Sequence, residues 1–438
     1  MERNYGLLEE NNNNINHWDP FINMLSFEGP ESPESDMEEE STGSTNELDD
    51  NSLLEIFSYL SMRDIMNAAK VCRKWRRLCE HSWTALENLQ CIDYEWLLFG
   101  KLRGQKLHLK GTCPTYLEQI LMKRGHGIKY FYLSHNHNLR LFIITSKFCR
   151  DLSTIEIRIN AAVFNEFDTH MRNLLENNVN LQTFIYYNEF DDSVLKNIFL
   201  QYMSEYIENI ILYVRYNVKP SFIISAIKKF KCLQSFECRA GCGIFFDSTI
   251  LESMNCDKSL NSIFLNESKL ASSMLLSQTV DLVNLTHLSL RGDKKLKDLN
   301  LMNVINNCKR LKYLDLTQCS RITDAGIISL AKLNDLDILE ISYCDRVTDK
   351  SIIYLPPSMT TLICSHCLNI TDCVINLIKN SLNLKVLDLS YCSIGNATIE
   401  AAIEVANKRI DNGLTIKVNN TCVDLSKISN IPPLLSII

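Results

Sequence analysis

The sequence predicts an α/β protein in which a short all-helical segment is followed by a curved repeat solenoid, with parallel strands on the concave face and helices on the convex face. Three observations support this architecture: an acidic start poor in apolar residues, a segment with apolar residues at helical spacing, and an apolar pair that recurs along the rest of the chain. With 438 residues, 46% of them hydrophobic, the chain has ample material for a large core.

Charge and composition argue against several classes of protein. The net charge is −7, and the short basic clusters at 73–77 and 294–297 lie in amphipathic segments, so we interpret them as solvated faces and expect no nucleic-acid partner. No signal-peptide-like segment opens the chain, and no apolar stretch approaches the roughly 20 residues of a membrane span. We therefore expect a cytoplasmic or nuclear protein without membrane contact, in which the 17 scattered cysteines are free thiols.

Residues 1–46 are predicted to be a disordered acidic tail. An asparagine run, Pro30, Pro33 and many acidic residues leave too little apolar surface to offset the entropy lost on ordering. Serine and threonine residues among the acidic ones leave two interpretations open, a solvated linker or a phosphorylated regulatory segment.

Residues 47–86 are predicted to form two or three short helices, because apolar residues recur there at spacings of three and four. Ser61 is the expected N-cap of the second helix, and Asp64 suits its first turn. About 40 residues make a small core, so part of this apolar surface should be covered by another protein.

From residue 106 to 438, after a linker at 87–105, the chain repeats with a period of about 23 to 29 residues, giving about 13 repeats. In each repeat two apolar residues separated by one position should turn inward from a short strand. These pairs are Leu107 and Leu109, Phe131 and Leu133, Ile155 and Ile157, Phe184 and Tyr186, Ile210 and Leu212, Phe236 and Cys238, Ile263 and Leu265, Leu288 and Leu290, Leu314 and Leu316, Leu339 and Ile341, Leu362 and Cys364, Leu387 and Leu389, and Leu414 and Ile416.

Three later repeats add a second signature after the strand. A cysteine small enough to sit inside the coil is followed by Ile or Val and then by Thr-Asp, a suitable start for the helix of the repeat. The cysteines are Cys319, Cys344 and Cys367. The inward face of the helices should then consist of Ile327, Leu330, Ile352, Leu355, Val374 and Leu377.

Residues 48–60, Asp64-Ile65, the run from Val71 to Leu78 and Trp83 closely resemble the F-box family. The spacing from Ile56-Phe57 through Leu60 and Val71-Cys72 to Trp75 carries the resemblance. The chain departs from the family pattern at Asp49, where Pro is usual, and in the short segment before Trp83. The family implies docking to a Skp-type adaptor. The candidate residues should face partly the segment's own small core and partly the adaptor, and the sequence leaves open which do which. They are Leu48, Leu53, Leu54, Ile56, Phe57, Leu60, Ile65, Val71 and Trp75.

The repeats resemble the cysteine-containing leucine-rich-repeat class, most clearly from Cys308 onwards. Together the two resemblances imply a non-catalytic substrate receptor of an SCF-type ubiquitin ligase, with a cullin scaffold, a RING protein and a substrate protein as further partners. Strand residues between the inward pairs should line the concave face and bind the substrate. The candidates are Tyr313, Asp315, Thr317, Glu340, Ser342, Thr361, Ser365, Asp388 and Ser390.

Other kinds of site find less support in the sequence. Cys364 and Cys367 form a CxxC pair, but the repeat register already places both as packing residues, so we expect no metal. No nucleophile elbow, phosphate-binding glycine loop or HExxH motif is present, so we expect neither catalysis nor a cofactor. A repeat scaffold that acts without ubiquitination and a small-molecule sensor remain as alternatives.

Overall fold

Two compact units divide the chain in the computed structural model, one of Met1–Tyr132 with His137–Leu152 and one of Leu133–Asn136 with Ser153–Ile438. The structure describes residues 48–60, 64, 67–83, 86–92, 95–100, 106–110, 121–122, 125–134, 139–159, 167–188, 199–214, 223, 225, 227–240, 259–266 and 282–438. The predicted tail at 1–46, Ser61 and Ile65 lie outside these residues. Among the described helices, none has the length and hydropathy needed to cross a bilayer.

The first unit opens with two helices, α1 (Asp50–Ser58) and α2 (Arg73–Trp83). Helix α1 begins at Asp50 because the Asp49 side chain accepts a hydrogen bond from the backbone N–H of Ser52, at 3.3 Å, and so caps the helix N-terminus. Asp49 thus supplies the start signal at the position where the F-box pattern usually has proline.

Three strands follow in the first unit: β1 (Leu86–Ile92), β2 (Glu95–Gly100) and β3 (Lys106–Lys110). β2 pairs antiparallel with both β1 and β3. This differs from the expectation of a linker at 87–105 and of a parallel repeat strand at Leu107 and Leu109. The physical reason is that two short runs of strand-forming residues, separated by only two positions, can pair locally as a hairpin.

The first unit also contains a 3₁₀ turn at Gly125–Gly127 and helix α3 (Leu139–Phe148), while β4 (Tyr130–Ser134) falls at the boundary between the units. Position 125 requires glycine for a steric reason, because a Cβ there would stand 2.5 Å from the carbonyl oxygen of Phe148. In β4, Phe131 and Leu133 are both buried, as the predicted pair requires.

The second unit is built on a sheet of parallel strands that follow one another in sequence order. Each described strand pairs in parallel with the next, from the first to the last. The strands are β5 (Thr154–Ile159), β6 (Thr183–Asn188), β7 (Asn209–Val214), β8 (Ser235–Ala240), β9 (Ser262–Asn266), β10 (His287–Ser289), β11 (Tyr313–Asp315), β12 (Ile338–Glu340), β13 (Thr361–Ile363), β14 (Val386–Asp388), β15 (Leu414–Lys417) and β16 (Leu435–Ile437).

Several of the described crossovers between these strands contain helices, the usual connection in a parallel sheet. The α-helices are α4 (Phe167–Asn177), α5 (Asp298–Asn307), α6 (Asp324–Ile328), α7 (Asp349–Ile352), α8 (Ile375–Asn380) and α9 (Asn396–Ala406). The 3₁₀ helices are Phe199–Tyr202, Ser329–Lys332, Asp372–Val374 and Leu425–Lys427. Parallel strands with helical connections confirm the predicted α/β repeat solenoid.

The core of the second unit lies between the strands and the helices. In every strand from β5 to β15 the predicted inward pair is buried, at 4% relative exposure or less. The predicted inward residues of the helices are buried as well, for example Ile327, Ile352 and Val374, each at 0%. The period-two alternation of the strands therefore assigns one face to the core and leaves the other uncovered by this unit's helices; we call the latter the open face.

Cysteines at the strand-to-loop corners link successive repeats. The Cys319 thiol donates to the carbonyl oxygen of Leu290 at 3.2 Å, and the Cys344 thiol donates to that of Leu316 at 3.2 Å. Cys367 and Cys392 continue the series towards the carbonyls of Ile341 and Cys364. These buried thiols satisfy backbone acceptors inside the coil, which explains why a small side chain with a weak donor stands there.

Thr-Asp pairs form a second link between repeats. Thr323 and Thr348 are the N-caps of α6 and α7, as predicted. Their positions are fixed from the preceding repeat, because the carboxylate of Asp324 accepts from both the backbone N–H (2.8 Å) and the hydroxyl (2.7 Å) of Thr348. Asp298 and Asp349 hold the threonines of their own following repeats in the same way.

Candidate functional site

The packing of α1 on α2 divides the predicted adaptor-contact residues by their exposure. Leu53 and Phe57 are buried, at 4% and 1% exposure, and form the small core of this segment with Ala68, Ala69, Leu78 and Cys79. Leu54, Leu60 and Trp75 are partly exposed. Leu48, Ile56 and Val71 are exposed, at 50%, 44% and 62%. Exposure, rather than apolar character, therefore identifies which residues are free to meet a partner.

Sequence reasoning missed Tyr59, which is 76% exposed directly after α1. It lies three residues after Ile56, a spacing at which helical neighbours share a face. The signal that could have found it is the phase of the helix, since Leu53 and Phe57 mark the buried side.

Contacts between α1 and α2 hold the exposed residues in place. The rings of Phe57 and Trp75 meet edge to face, with centroids 5.3 Å apart. Asp50 at the start of α1 forms ion pairs with Lys74 at 3.4 Å and with Arg77 at 3.0 Å on α2.

The N-cap of α1 is ionised more readily than a free carboxyl group. The hydrogen bond from Ser52 lowers the pKa of Asp49 below its usual range, because that bond favours the ionised carboxylate.

The open face of the second unit carries a continuous line of side chains across successive repeats, which we call the middle row. The strand register aligns one residue from each strand in this row. Its members, in order, are Glu156, Ile185, Ile211, Glu237, Phe264, Ser289, Asp315, Glu340, Ile363, Asp388 and Lys417.

In the first half of the open face, two glutamates of the middle row each hold an arginine two residues later on the same strand. Arg158 Nε donates to Glu156 at 3.0 Å, and Arg239 Nε donates to Glu237 at 2.6 Å. Between them the rings of Tyr187 and Tyr213 stack at 4.2 Å, and each guanidinium lies over the ring next to it, at 4.2 Å for Arg158 and 4.8 Å for Arg239.

This arrangement was not expected, since the predicted substrate residues all lie beyond residue 312. The Glu-x-Arg pattern of β5 and β8 was a signal that could have found the two pairs. The hydroxyl of Tyr213 donates to Glu237 at 3.2 Å, and burial raises the pKa of Tyr213. Glu156, Arg158, Glu237 and Arg239 thus form a set of two carboxylates and two cations, with no net charge, around the rings of Tyr187 and Tyr213.

The second half of the open face has a different charge pattern. Asp315 and Glu340 stand directly opposite each other on β11 and β12. The hydroxyl of Tyr313 donates to Glu340 at 3.1 Å, while Asp315 accepts from Ser289 at 3.0 Å and from the backbone N–H of Thr317 at 2.8 Å. Burial, and then the charge of Asp315, raise the pKa of Glu340.

Burial also divides the predicted substrate residues. Tyr313, Glu340, Thr361, Ser365 and Asp388 are partly exposed on the open face. The remaining four are nearly covered within the chain, which leaves them a supporting role beneath their neighbours. Their exposures are 4% for Asp315, 3% for Thr317, 5% for Ser342 and 8% for Ser390.

One edge of the open face carries a column of rings. The ring of His366 lies between Tyr343 and Tyr391, with centroid distances of 4.1 and 3.9 Å. All three residues have φ near +60°, as does Gln318 one repeat earlier. Sequence reasoning missed this column, because the left-handed backbone at the residue before each corner cysteine has no glycine to mark it.

Fold and site together define an F-box-like helical segment joined, within one chain, to an α/β solenoid of parallel-strand repeats. Residues 50–87 match the family model described as F-box-like. The human F-box/LRR-repeat protein 12 is 51% identical over 37 residues, which make up 8% of this chain and 11% of the human protein. The match therefore spans about a tenth of that relative's length.

Two solved structures are similar to this chain at low identity. The crystal structure of the Rad7 and Elc1 complex in yeast aligns with a TM-score of 0.44 and 16% identity, covering 89% of this chain and 92% of the other. The crystal structure of the mouse RP105/MD-1 complex aligns with a TM-score of 0.40 and 13% identity, covering 67% and 59%.

Proposed function

We propose that the protein is a substrate-recognition subunit of an SCF-type cullin-RING ubiquitin ligase. The F-box-like segment docks to a Skp-type adaptor, and the adaptor connects it to a cullin scaffold with its RING protein. The open face of the solenoid binds a substrate protein for ubiquitination and degradation. The observation that carries the proposal is the F-box-like match at 50–87, with its apolar side chains exposed, in the same chain as a solenoid with an uncovered open face.

In this proposal the protein is not an enzyme. Its contribution to the reaction is effective concentration, because it holds lysines of the substrate near a ubiquitin-charged conjugating enzyme. A cytoplasmic or nuclear location follows from these partners.

Of the exposed apolar residues, Ile56, Tyr59 and Val71 are the best candidates for adaptor contact. Their burial against a partner would complete a core that the segment leaves open. Phe57 has a different role, since its side chain is only 1% exposed and packs on Trp75. Replacing Phe57 or Trp75 would damage the segment itself, so these residues make poor probes of docking.

The test is affinity purification of the full chain from cells after proteasome inhibition. The triple variant Ile56→Ala, Tyr59→Ala, Val71→Ala is compared with the wild type. A matched control is Ile353→Ala, Tyr354→Ala, Leu368→Ala, whose side chains are exposed on the solenoid at 51%, 51% and 64%. We expect the wild type and the control to retain adaptor, cullin and ubiquitylated proteins, and the docking variant to lose all three.

The alternative is a repeat scaffold that assembles or blocks partners without ubiquitination. It is favoured if the wild type captures other proteins but neither adaptor nor cullin. Retention of the adaptor by the docking variant would contradict the assignment of the contact residues.

A further inference from the structure

The open face shows twice how its glutamates accept a guanidinium. In Glu156-Ile157-Arg158 and in Glu237-Cys238-Arg239, the arginine returns along the strand to the carboxylate and covers a tyrosine ring. The carboxylate, the guanidinium and the ring satisfy one another at these two places.

Glu340 has a related setting without the arginine, in which the tyrosine lies two residues before the middle row rather than two residues after it. Like Glu237, it belongs to the middle row and accepts a hydrogen bond from a tyrosine of the preceding strand, at 3.1 Å from Tyr313 and 3.2 Å in the case of Tyr213. Two residues after Glu340, however, the position of Arg239 is taken by Ser342. Beside it lie Thr317 and Ser365, so small side chains surround this end of the carboxylate.

No ion pair neutralises the charge at this place. Asp315 faces Glu340 across the strand pair, an arrangement of like charges that is destabilising. Among the described residues neither carboxylate forms an ion pair, and Arg291 acts on Glu340 only from a greater distance. By contrast, Asp388 of the same row forms an ion pair with Lys417, whose Nζ lies 3.6 Å from Asp388 Oδ2.

A second, independent observation marks the same place. The hydroxyl of Thr317 is buried, with no hydrogen-bond partner among the described residues, although the residue is only 3% exposed. The hydrogen bonds from the backbone N–H of Leu316 and Gln318 to the next repeat continue the strand ladder, so Thr317 lies on the same face as Asp315. A buried hydroxyl without a partner is costly, so this end of the open face has unused hydrogen-bonding capacity.

We infer that the partly exposed carboxylate of Glu340, supported from beneath by Asp315, is the binding site for an arginine side chain of a partner protein. The inference rests on the proposed function, because it names the class of substrate that the open face would take: a segment with an exposed arginine. Charge complementarity argues for this occupant, since the site lacks the cation that the equivalent glutamates have. A guanidinium suits it better than an ammonium, because its planar fork of donors can form two parallel hydrogen bonds to one carboxylate.

The probe is a fluorescein-labelled (Gly-Ser-Arg)₄ peptide, titrated against the full chain by fluorescence anisotropy, with (Gly-Ser-Lys)₄ as the comparison peptide. We expect the arginine peptide to bind at least three-fold more tightly than the lysine peptide. Glu340→Gln should weaken arginine-peptide binding at least ten-fold, since Gln keeps an acceptor for Tyr313 but removes the charge. Absence of binding to the wild type, or equal affinity for both peptides, would overturn the inference.

Two further variants separate this site from general attraction to an acidic protein. Glu237→Gln changes the net charge by the same amount, but that carboxylate already has Arg239, so we expect less than a two-fold effect. Ser342→Arg restores the Glu-x-Arg pattern and should abolish peptide binding by occupying Glu340 from within the chain. An equal loss in Glu237→Gln, or unchanged binding in both Glu340→Gln and Ser342→Arg, would count against the site.

The outcome of the peptide-binding experiment does not depend on the adaptor. The docking variant Ile56→Ala, Tyr59→Ala, Val71→Ala should bind the arginine peptide as the wild type does. If the peptide results hold while the adaptor fails to co-purify, the arginine site stands and the ligase proposal falls. If the adaptor co-purifies but Glu340→Gln binds the peptide normally, only the arginine site is refuted.

Discussion

At the scale of single residues, several positions of the solenoid are expected to lower its free energy of unfolding. Burial, and then the nearby charge of Asp315, raise the pKa of Glu340, so its ionised form is disfavoured in the folded state. Gln318, Tyr343, His366 and Tyr391 adopt left-handed backbone conformations that L-residues other than glycine disfavour. Such costs persist where the surrounding structure compensates for them, and they mark positions at which simple substitutions should stabilise the fold.

Glu340→Gln is expected to stabilise the folded chain at pH 7. The raised pKa of Glu340 means that the folded state favours the protonated carboxyl, so the wild type loses stability as the pH rises through that pKa. The advantage of the variant should therefore be largest at pH 7 and shrink as the pH falls towards 4.5. Thermal unfolding followed by circular dichroism at a series of pH values measures it. A lower Tm for the variant at pH 7 would show that the ionised carboxylate is stabilised instead, and Glu237→Gln, which loses a partner, should show no gain.

Gln318→Gly tests the cost of the left-handed backbone. Glycine adopts φ near +60° without a clash of its side chain, whereas alanine retains the strain. We expect Gln318→Gly to be more stable than Gln318→Ala by about 1 kcal/mol, measured by urea unfolding. Equal stability of the two variants would show that the corner imposes no strain on this residue.

At the scale of secondary structure elements, each repeat is positioned by its predecessor. The carboxylates of Asp298, Asp324 and Asp349 accept hydrogen bonds from the N-cap threonine of the helix in the following repeat. The thiols of the corner cysteines donate to backbone carbonyls of the preceding repeat. No single repeat buries its own core, so these contacts between neighbours set the register of the stack.

Asp324→Ala is expected to destabilise the solenoid by about 2 kcal/mol, because it removes two charge-assisted hydrogen bonds to Thr348. Asp324→Asn keeps an acceptor for the backbone N–H and should lose less. Asp335→Ala, at an exposed position, is the control and should have little effect. Urea unfolding of the three variants measures the differences, and equal stability of Asp324→Ala and Asp335→Ala would rule out the proposed link.

The cysteines should differ sharply in reactivity. Burial raises the pKa of Cys344 to about 12, so its thiolate is scarce at pH 8. Cys72, Cys373 and Cys422 are exposed free thiols. Alkylation of the native chain with iodoacetamide at pH 8, read by mass spectrometry, should label these three long before Cys319, Cys344 or Cys367. Early labelling of the corner cysteines would contradict their burial between repeats.

At the scale of the whole molecule, the repeats were predictable because one constraint recurs many times. Each unit must present an inward pair such as Leu314 and Leu316, and a period of buried residues survives even where Cys and Thr-Asp are missing. The strands β1 and β2 were missed because a short local hairpin has no such period. The column of Tyr343, His366 and Tyr391 depends on contacts between successive repeats that no local pattern encodes. The pairs Arg158–Glu156 and Arg239–Glu237 do have a local Glu-x-Arg pattern, but two such pairs in the whole sheet do not form a repeat.

The F-box-like segment was predictable in kind but not in detail. Its spacing identified the helices, whereas the division between a core of Leu53 and Phe57 and an exposed set of Ile56, Tyr59 and Val71 required the packing of α1 on α2. A family resemblance assigns contact residues as a set, and only the phase of each helix decides which of them reach a partner.

We propose above all that the exposed apolar side chains of the F-box-like segment bind a Skp-type adaptor. The most direct measurement is the affinity of the purified full chain for the purified adaptor by isothermal titration calorimetry. We predict tight binding by the wild type and by Ile353→Ala, Tyr354→Ala, Leu368→Ala, and at least a hundred-fold loss in Ile56→Ala, Tyr59→Ala, Val71→Ala with an unchanged Tm. No binding by the wild type, or equal affinity of the docking variant, would contradict the account.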